Sequence, residues 1–229
     1  MSGCRVQYVR LYNDFRRIYA DVWQYLEDTM RKKSHISLAG YLVRELRLEE
    51  LVKHKKAFYL GSILPDLTPK MITSPHEYMT SYEKLRESIC YLSAEGESGE
   101  YNERVLWRRI GVVMHYLADY FTFPHNVSYE GNLKDHCLYE REMKYWLRSY
   151  VRTPEAKMIF RRQREEVRRM DGPKALLDSI ERTHFEYMCA PHTVEDDCVW
   201  IVMLCSRVLL YFAAVVSGEL LGEAVFCAA

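Results

Sequence analysis

No charge of one sign dominates this 229-residue sequence: Lys plus Arg and Asp plus Glu stand at 32 each. That balance argues against a broad nucleic-acid-binding or anionic-membrane surface, and no stable nucleic-acid partner is expected. Cysteine pairs are missing as well. The seven cysteines, at 4, 90, 137, 189, 198, 205 and 227, form no CxxC pair and are odd in number. They read as reduced cytosolic thiols rather than a disulfide framework. From Met1 to Arg17 no long apolar run precedes a small-residue cleavage site, so the start does not read as a secretory signal and a cytoplasmic location is expected. Repeats, low-complexity tracts and a convincing domain linker are absent. Period-two alternation is scarce, which argues against a sheet protein.

One stretch, Cys198 to Gly218, is apolar enough to pass for a membrane span, but it contains Arg207 and is followed by Glu219 and Glu223. A charge at mid-bilayer is expensive, so a buried core helix is the better reading and no transmembrane segment is expected.

What is present is helical spacing in a globular composition, 48% apolar and long enough to bury a substantial core. The 18 tyrosines suit a core lining, with rings buried and hydroxyls bonded. Periodicity predicts helices over Leu11–Met30, Ser34–Leu46, Tyr78–Leu92, Glu103–Phe121, Leu133–Val151, Glu155–Met170, Lys174–Cys189 and Val194–Ala228, the last with a break at Gly218 or Gly222. Asp66-Leu-Thr-Pro and Ser74-Pro75-His76 are loop signals, and Ala94 to Gly99 reads as a polar connection. The expected fold is all-α, a single-domain bundle of about eight helices.

Histidines and carboxylates supply the chemistry. His115 and Asp119 lie four apart, hence on one helical face one turn apart, among Val112, Val113, Met114 and Leu117. An unpaired Asp there would be costly, and a metal would resolve the cost. Gly111, one turn earlier, leaves room for an ion or substrate. Past the helix end comes Phe123-Pro124-His125, and His136 with Glu140 repeats the i, i+4 pair on the following helix. One His, then a His and an acid, with an open fourth position, is the ligand count of a catalytic zinc site. Each pair alone is weak, since H-x3-D on a helix is more often a surface or capping pair; two pairs flanking His125 are a stronger signal. His35 shares a face with Leu38, Ala39 and Leu42 and alone reads as a core histidine. Asp66, after Pro65, alone reads as a turn or N-cap residue, with His76 ten residues on. His54, in Lys53-His-Lys-Lys56, reads as part of a solvated run, and His184 and His192 have no partner pattern.

The ordered set His35, Pro65-Asp66, His76, His115-x3-Asp119-x5-His125 and His136-x3-Glu140 resembles the zinc-dependent phospholipase C family, related to the S1/P1-type nucleases. The similarity runs from about Met30 to about Val151, leaving residues 1–29 as an added N-terminal helical extension or Met30 as the natural start, ahead of a phospholipase C-like domain over 30–229. The resemblance implies an all-α fold and zinc as cofactor, two or three ions per chain. Asp66, His76, His115 and Asp119 would hold one zinc, and His125, His136 and Glu140 a second. His35 would hold a third, bridged by Asp119. Secreted members complete that third site with an N-terminal Trp. No Trp begins this chain, and the nitrogen of Trp23 is an ordinary amide, so water or another residue would complete it. The lipid-binding β-domain of some toxins in the family has no counterpart.

The implied activity is hydrolysis of phosphodiesters by a water that zinc makes acidic near neutral pH. Asp66 is the candidate catalytic residue, able to accept a proton beside the metal. Asp135 or nearby tyrosine hydroxyls are expected to orient the histidines. The substrate would be a phospholipid head group or a nucleotide-like phosphoester. Rival readings are an intracellular nuclease or nucleotidase of the S1-P1 type, a small-molecule phosphatase, a non-catalytic zinc-stabilised helical protein, and a membrane-associated module using the apolar tail.

Overall fold

Helix starts are set by polar residues just ahead of each apolar-periodic run. The side chains of Asn102, Asn132, Thr153 and Thr193 each accept a first-turn backbone N–H, satisfying donors the helix cannot. The computed structural model describes residues 31–67 and 77–219. Among the described residues there are nine α-helices and no strand, so the fold is all-α as expected. They are α1 Arg31–Leu46, α2 Glu49–Lys53, α3 Lys55–Ile63, α4 Tyr78–Ser98, α5 Glu103–Tyr120, α6 Leu133–Tyr150, α7 Pro154–Val167, α8 Pro173–Cys189 and α9 Val194–Val216, with a 3-10 turn at Phe123–His125 between α5 and α6. The helix expected over Leu11–Met30 lies outside the described residues, as does the tail beyond Glu219.

Several expectations need correction. The polar stretch Ala94–Gly99 is the last turn of α4, not a connection. Gly96 packs against Val215, and the helix ends only at Gly99, whose φ of 67° is the left-handed conformation that glycine adopts at a helix C-terminus. Helices α2 and α3 were not foreseen, because the basic run Lys53–Lys56 interrupts their apolar spacing at the break between them. Within that run His54 is half-buried rather than solvated. Its Nε2 lies 2.7 Å from Glu103 Oε2, which also meets Lys53 Nζ at 2.7 Å.

Helix α9 is long and apolar enough to cross a membrane, yet it is the centre of the bundle, packed against α1, α4, α5, α6, α7 and α8. Its run Val208–Phe212 is buried on every side, which is what an all-round apolar helix requires in a core. Arg207 donates to Gln163 Oε1 at 2.8 Å, Ser179 Oγ at 2.6 Å and Thr183 Oγ1 at 2.9 Å. Its charge is thus satisfied by neutral oxygens from α7 and α8, although burial still lowers its pKa.

The tightest crossing is between α3 and α5. A Cβ on Gly61 would stand 2.0 Å from Arg108 O, and one on Gly111 would stand 2.3 Å from Phe58 O. The space at Gly111 is therefore filled by the backbone of α3, not by an ion or substrate. By contrast, a Cβ on Gly40, inside α1, would meet only Tyr59 Oη at 3.8 Å. Gly40→Ala is expected to raise Tm slightly through helix propensity, by up to about 1 kcal/mol of stability. Gly111→Ala is expected to lower it, because overpacking costs about 1–3 kcal/mol or more. Thermal unfolding of both variants checks this, and a Tm for Gly111→Ala at or above wild type would refute the close crossing.

Candidate metal centre

Helix α5 carries its buried face through the core and ends it on two ionisable groups, His115 at 0% and Asp119 at 4% exposure. The glycine crossing brings the C-terminal turn of α3 against that face. Ser62 O then lies 3.0 Å from His115 Nδ1, so Nδ1 carries the proton and Nε2 faces the site. From α1, His35 stacks on His115 with ring centroids 4.1 Å apart.

Both imidazoles turn Nε2 toward one carboxylate. His35 Nε2 is 3.3 Å from Asp119 Oδ1, and His115 Nε2 is 3.2 Å from Asp119 Oδ2. Each oxygen faces a different imidazole, the arrangement a bridging carboxylate needs. Asp66, just past α3, completes the edge, with Oδ1 3.8 Å from His115 Nε2. Its other oxygen, Oδ2, is buried without a hydrogen-bond partner.

The second cluster joins the 3-10 turn to α6. His125 Nε2 lies 3.3 Å and His136 Nε2 2.8 Å from the same atom, Glu140 Oε1. His136 and Glu140 are four apart on α6, so they share a face. Asn126 anchors the turn. Its amide donates to Tyr120 O at 3.1 Å and Thr122 O at 3.2 Å, while its oxygen accepts from His184 Nε2 at 3.1 Å. Burial pushes His184 down to about 4, so its ring is a neutral donor at Nε2. A cavity of about 20 Å³ lies between the clusters, lined by His35, Asp119, His125 and Glu140. That is room for about one water-sized occupant.

Electrostatics favour a cation here. Burial penalises charge on His115, yet Asp119 and Asp66 outweigh it and raise its pKa. Burial would likewise raise Asp119, but His115 and His125 hold it well below the usual carboxylate range. The carboxylates of Asp119 and Asp66 thus draw positive charge onto the His115 imidazole, which burial alone would keep neutral.

The donor set fits zinc. Two ligands at bond lengths of about 2.0–2.2 Å on a tetrahedral ion stand roughly 3.3–3.6 Å apart. The separations of 3.2–3.3 Å to Asp119 and from His125 to Glu140 lie close to that range, whereas the 2.8 Å of His136 is a hydrogen-bond distance. The ligand atoms of each trio lie within 4.8 Å of one another. The orphaned Asp66 Oδ2 is a buried acceptor that a cation would satisfy.

Of the eight residues singled out in the sequence, the structure gathers six into these two trios and sets Asp66 beside the first. His76 lies outside the described residues. Asp135 does not orient a histidine. It is exposed and closes the capping box of α6, accepting from Asn132 N at 3.3 Å. Sequence reasoning missed Asn126, Ser62 and Asp197. Ser62 acts through its backbone carbonyl and Asn126 through side-chain ties to neighbouring backbone and His184, and neither leaves a sequence pattern. Asp197 could have been found, since it shares the apolar stripe of Val194, Cys198 and Ile201 although it stands in an acidic run.

No curated protein and no solved structure matches the chain significantly. The family model described as zinc dependent phospholipase C matches residues 34–193, which include every candidate ligand and reach from the first turn of α1 to the end of α8. The match covers well over half of the sequence, and the chain belongs to the zinc-dependent phospholipase C family.

Proposed function

We propose that the protein is a zinc-dependent phosphodiesterase that hydrolyses a phospholipid-type phosphodiester as a phospholipase C does. The observation that carries this reading is the pair of histidine–carboxylate trios facing one small cavity. His35, His115 and Asp119, with Asp66 alongside, would hold one part of the metal cluster; His125, His136 and Glu140 would hold the other. Zinc bound there supplies an acidified water and positive charge for phosphate oxygens.

The chain's own residues do the rest. Ser62 O fixes the ring of His115, and Asp119 aligns two imidazoles at once. Asp66, beside His115 at the edge of the first trio, would accept the proton of the attacking water through its carboxylate. The surrounding core excludes bulk water, which strengthens each of these interactions. Free cysteines at 90, 137, 189, 198 and 205 support a cytoplasmic setting. Burial of His35, His115, Asp119, His125 and Glu140, with His136 half-buried, favours a second reading, in which zinc only stabilises the helices.

Metal analysis of protein purified without chelator is expected to find two or three zinc ions per chain, given two trios and a bridging Asp119. Fewer than one tightly held transition metal would end the metal reading. Hydrolysis of a panel of phospholipids and soluble phosphodiesters separates the two functions, since stoichiometric zinc with no activity on any of them leaves only the stabilising role. Asp66→Asn is expected to lower activity on a verified substrate about 100- to 10,000-fold while the helical circular dichroism is retained. Near-full activity in that variant would show that Asp66 is not the proton acceptor.

A further inference from the structure

A second buried acid lies outside both trios. Asp197, in the first turn of α9, is 0% exposed. Its Oδ2 accepts from Phe123 N–H at 2.8 Å and from the Tyr139 hydroxyl at 2.8 Å, and its Oδ1 accepts from the Tyr187 hydroxyl at 2.9 Å. Burial lifts its carboxyl to about 7 against the opposing pull of these three donors. Helix α9 does not need this acid for its own start, which Thr193 caps by accepting from Asp196 N at 3.1 Å.

The partners show what the acid holds. Phe123 opens the 3-10 turn that ends in His125, and a turn's first N–H has no partner within the turn. Tyr139 stands on α6 between His136 and Glu140. These two segments supply all three members of the second trio, and they meet at one oxygen of Asp197. Tyr187, from α8, fixes the other oxygen, so the carboxylate cannot rotate away.

We propose that Asp197 is the positioning residue of the second trio, locking the His125 turn and the His136–Glu140 face of α6 into one metal-binding geometry through Phe123 N–H and Tyr139. The proposal rests on the zinc reading of that trio. Among the described residues Asp197 touches no candidate ligand itself and acts only through the two segments. Partners of this kind typically change metal affinity about 10- to 100-fold when removed.

The test is zinc affinity, measured by competition with a chromophoric chelator, with circular dichroism and Tm recorded alongside. His136→Ala marks the ion held by the second trio and His115→Ala the ion held by the first. Asp197→Ala is expected to weaken the ion that His136→Ala loses by about 10- to 100-fold and to leave the other unchanged. In the His136→Ala background the same substitution is expected to have no further effect on zinc. Asp197→Asn is expected to recover most of the loss, because the amide oxygen still accepts from Phe123 and Tyr139 while the amide nitrogen donates to the Tyr187 oxygen. Tyr139→Phe removes one tie without opening a cavity, and decides the matter by the same readout if Asp197→Ala does not fold. Wild-type affinity at both ions in folded Asp197→Ala and Tyr139→Phe overturns the proposal, and so does equal weakening of both ions. Wild-type protein holding less than one zinc per chain overturns the metal reading beneath it, a different result from either.

Discussion

Everything about the centre follows from placing the Asp119 carboxylate inside a helical core. Desolvating a lone carboxylate costs several kcal/mol, comparable to much of a domain's net stability. The fold meets that cost by turning His35 and His115 onto the two oxygens, one each. Those imidazoles come from different helices, α1 and α5, so both helices must hold their rotation and height accurately. The glycine crossing of α3 on α5 sets that height, and through Ser62 O it also sets the proton on His115. A packing contact without polar chemistry thereby determines which histidine nitrogen faces the site.

How much of this was legible in the sequence depends on the range of the interaction. The i, i+4 pairs His115–Asp119 and His136–Glu140 are local, and helical spacing alone placed each on one face. Helix starts at Glu103, Leu133 and Val194 were legible for the same reason, with a polar cap ahead of an apolar stripe. The stacking of His35 on His115 was not, because it depends on how α1 meets α5 in space. Gly111 was misread because a glycine records only that something comes close. It does not say whether the visitor is a ligand or another backbone. Asp135 was misread because the requirement to cap α6 is local and overrides any distant partner. The extension of α4 to Ser98 was hidden by polar residues that face solvent on one side while Gly96 meets α9 on the other.

The two trios are built by different means. In the first, two long helices supply the imidazoles, and a backbone carbonyl from a third orients one of them. In the second, one imidazole comes from a three-residue 3-10 turn. A 3-10 turn has poor internal hydrogen-bond geometry and cannot hold a side chain to within a few tenths of an ångström unaided. Asn126 fastens its C-terminal end to the last turn of α5, and Asp197 fastens its N-terminal end to α9. Rigidity that the first trio draws from helix packing is supplied to the second by buried polar groups.

The same arithmetic links the metal to folding. In the first trio, before any cation binds, burial penalises charge on His115, yet Asp119 and Asp66 raise its pKa while Asp119 itself falls. A zinc ion held there would displace the His115 proton and bind the same side chains, a gain open to the folded chain and not to the unfolded one. The candidate ligands span α1, α5, the turn and α6, which are spread over more than a hundred residues of sequence. A cation held by them would therefore close long loops, and its binding energy would enter the stability of the whole bundle rather than of one helix. A centre that must be dry to hold its charge is also one whose assembly is inseparable from the packing of the fold.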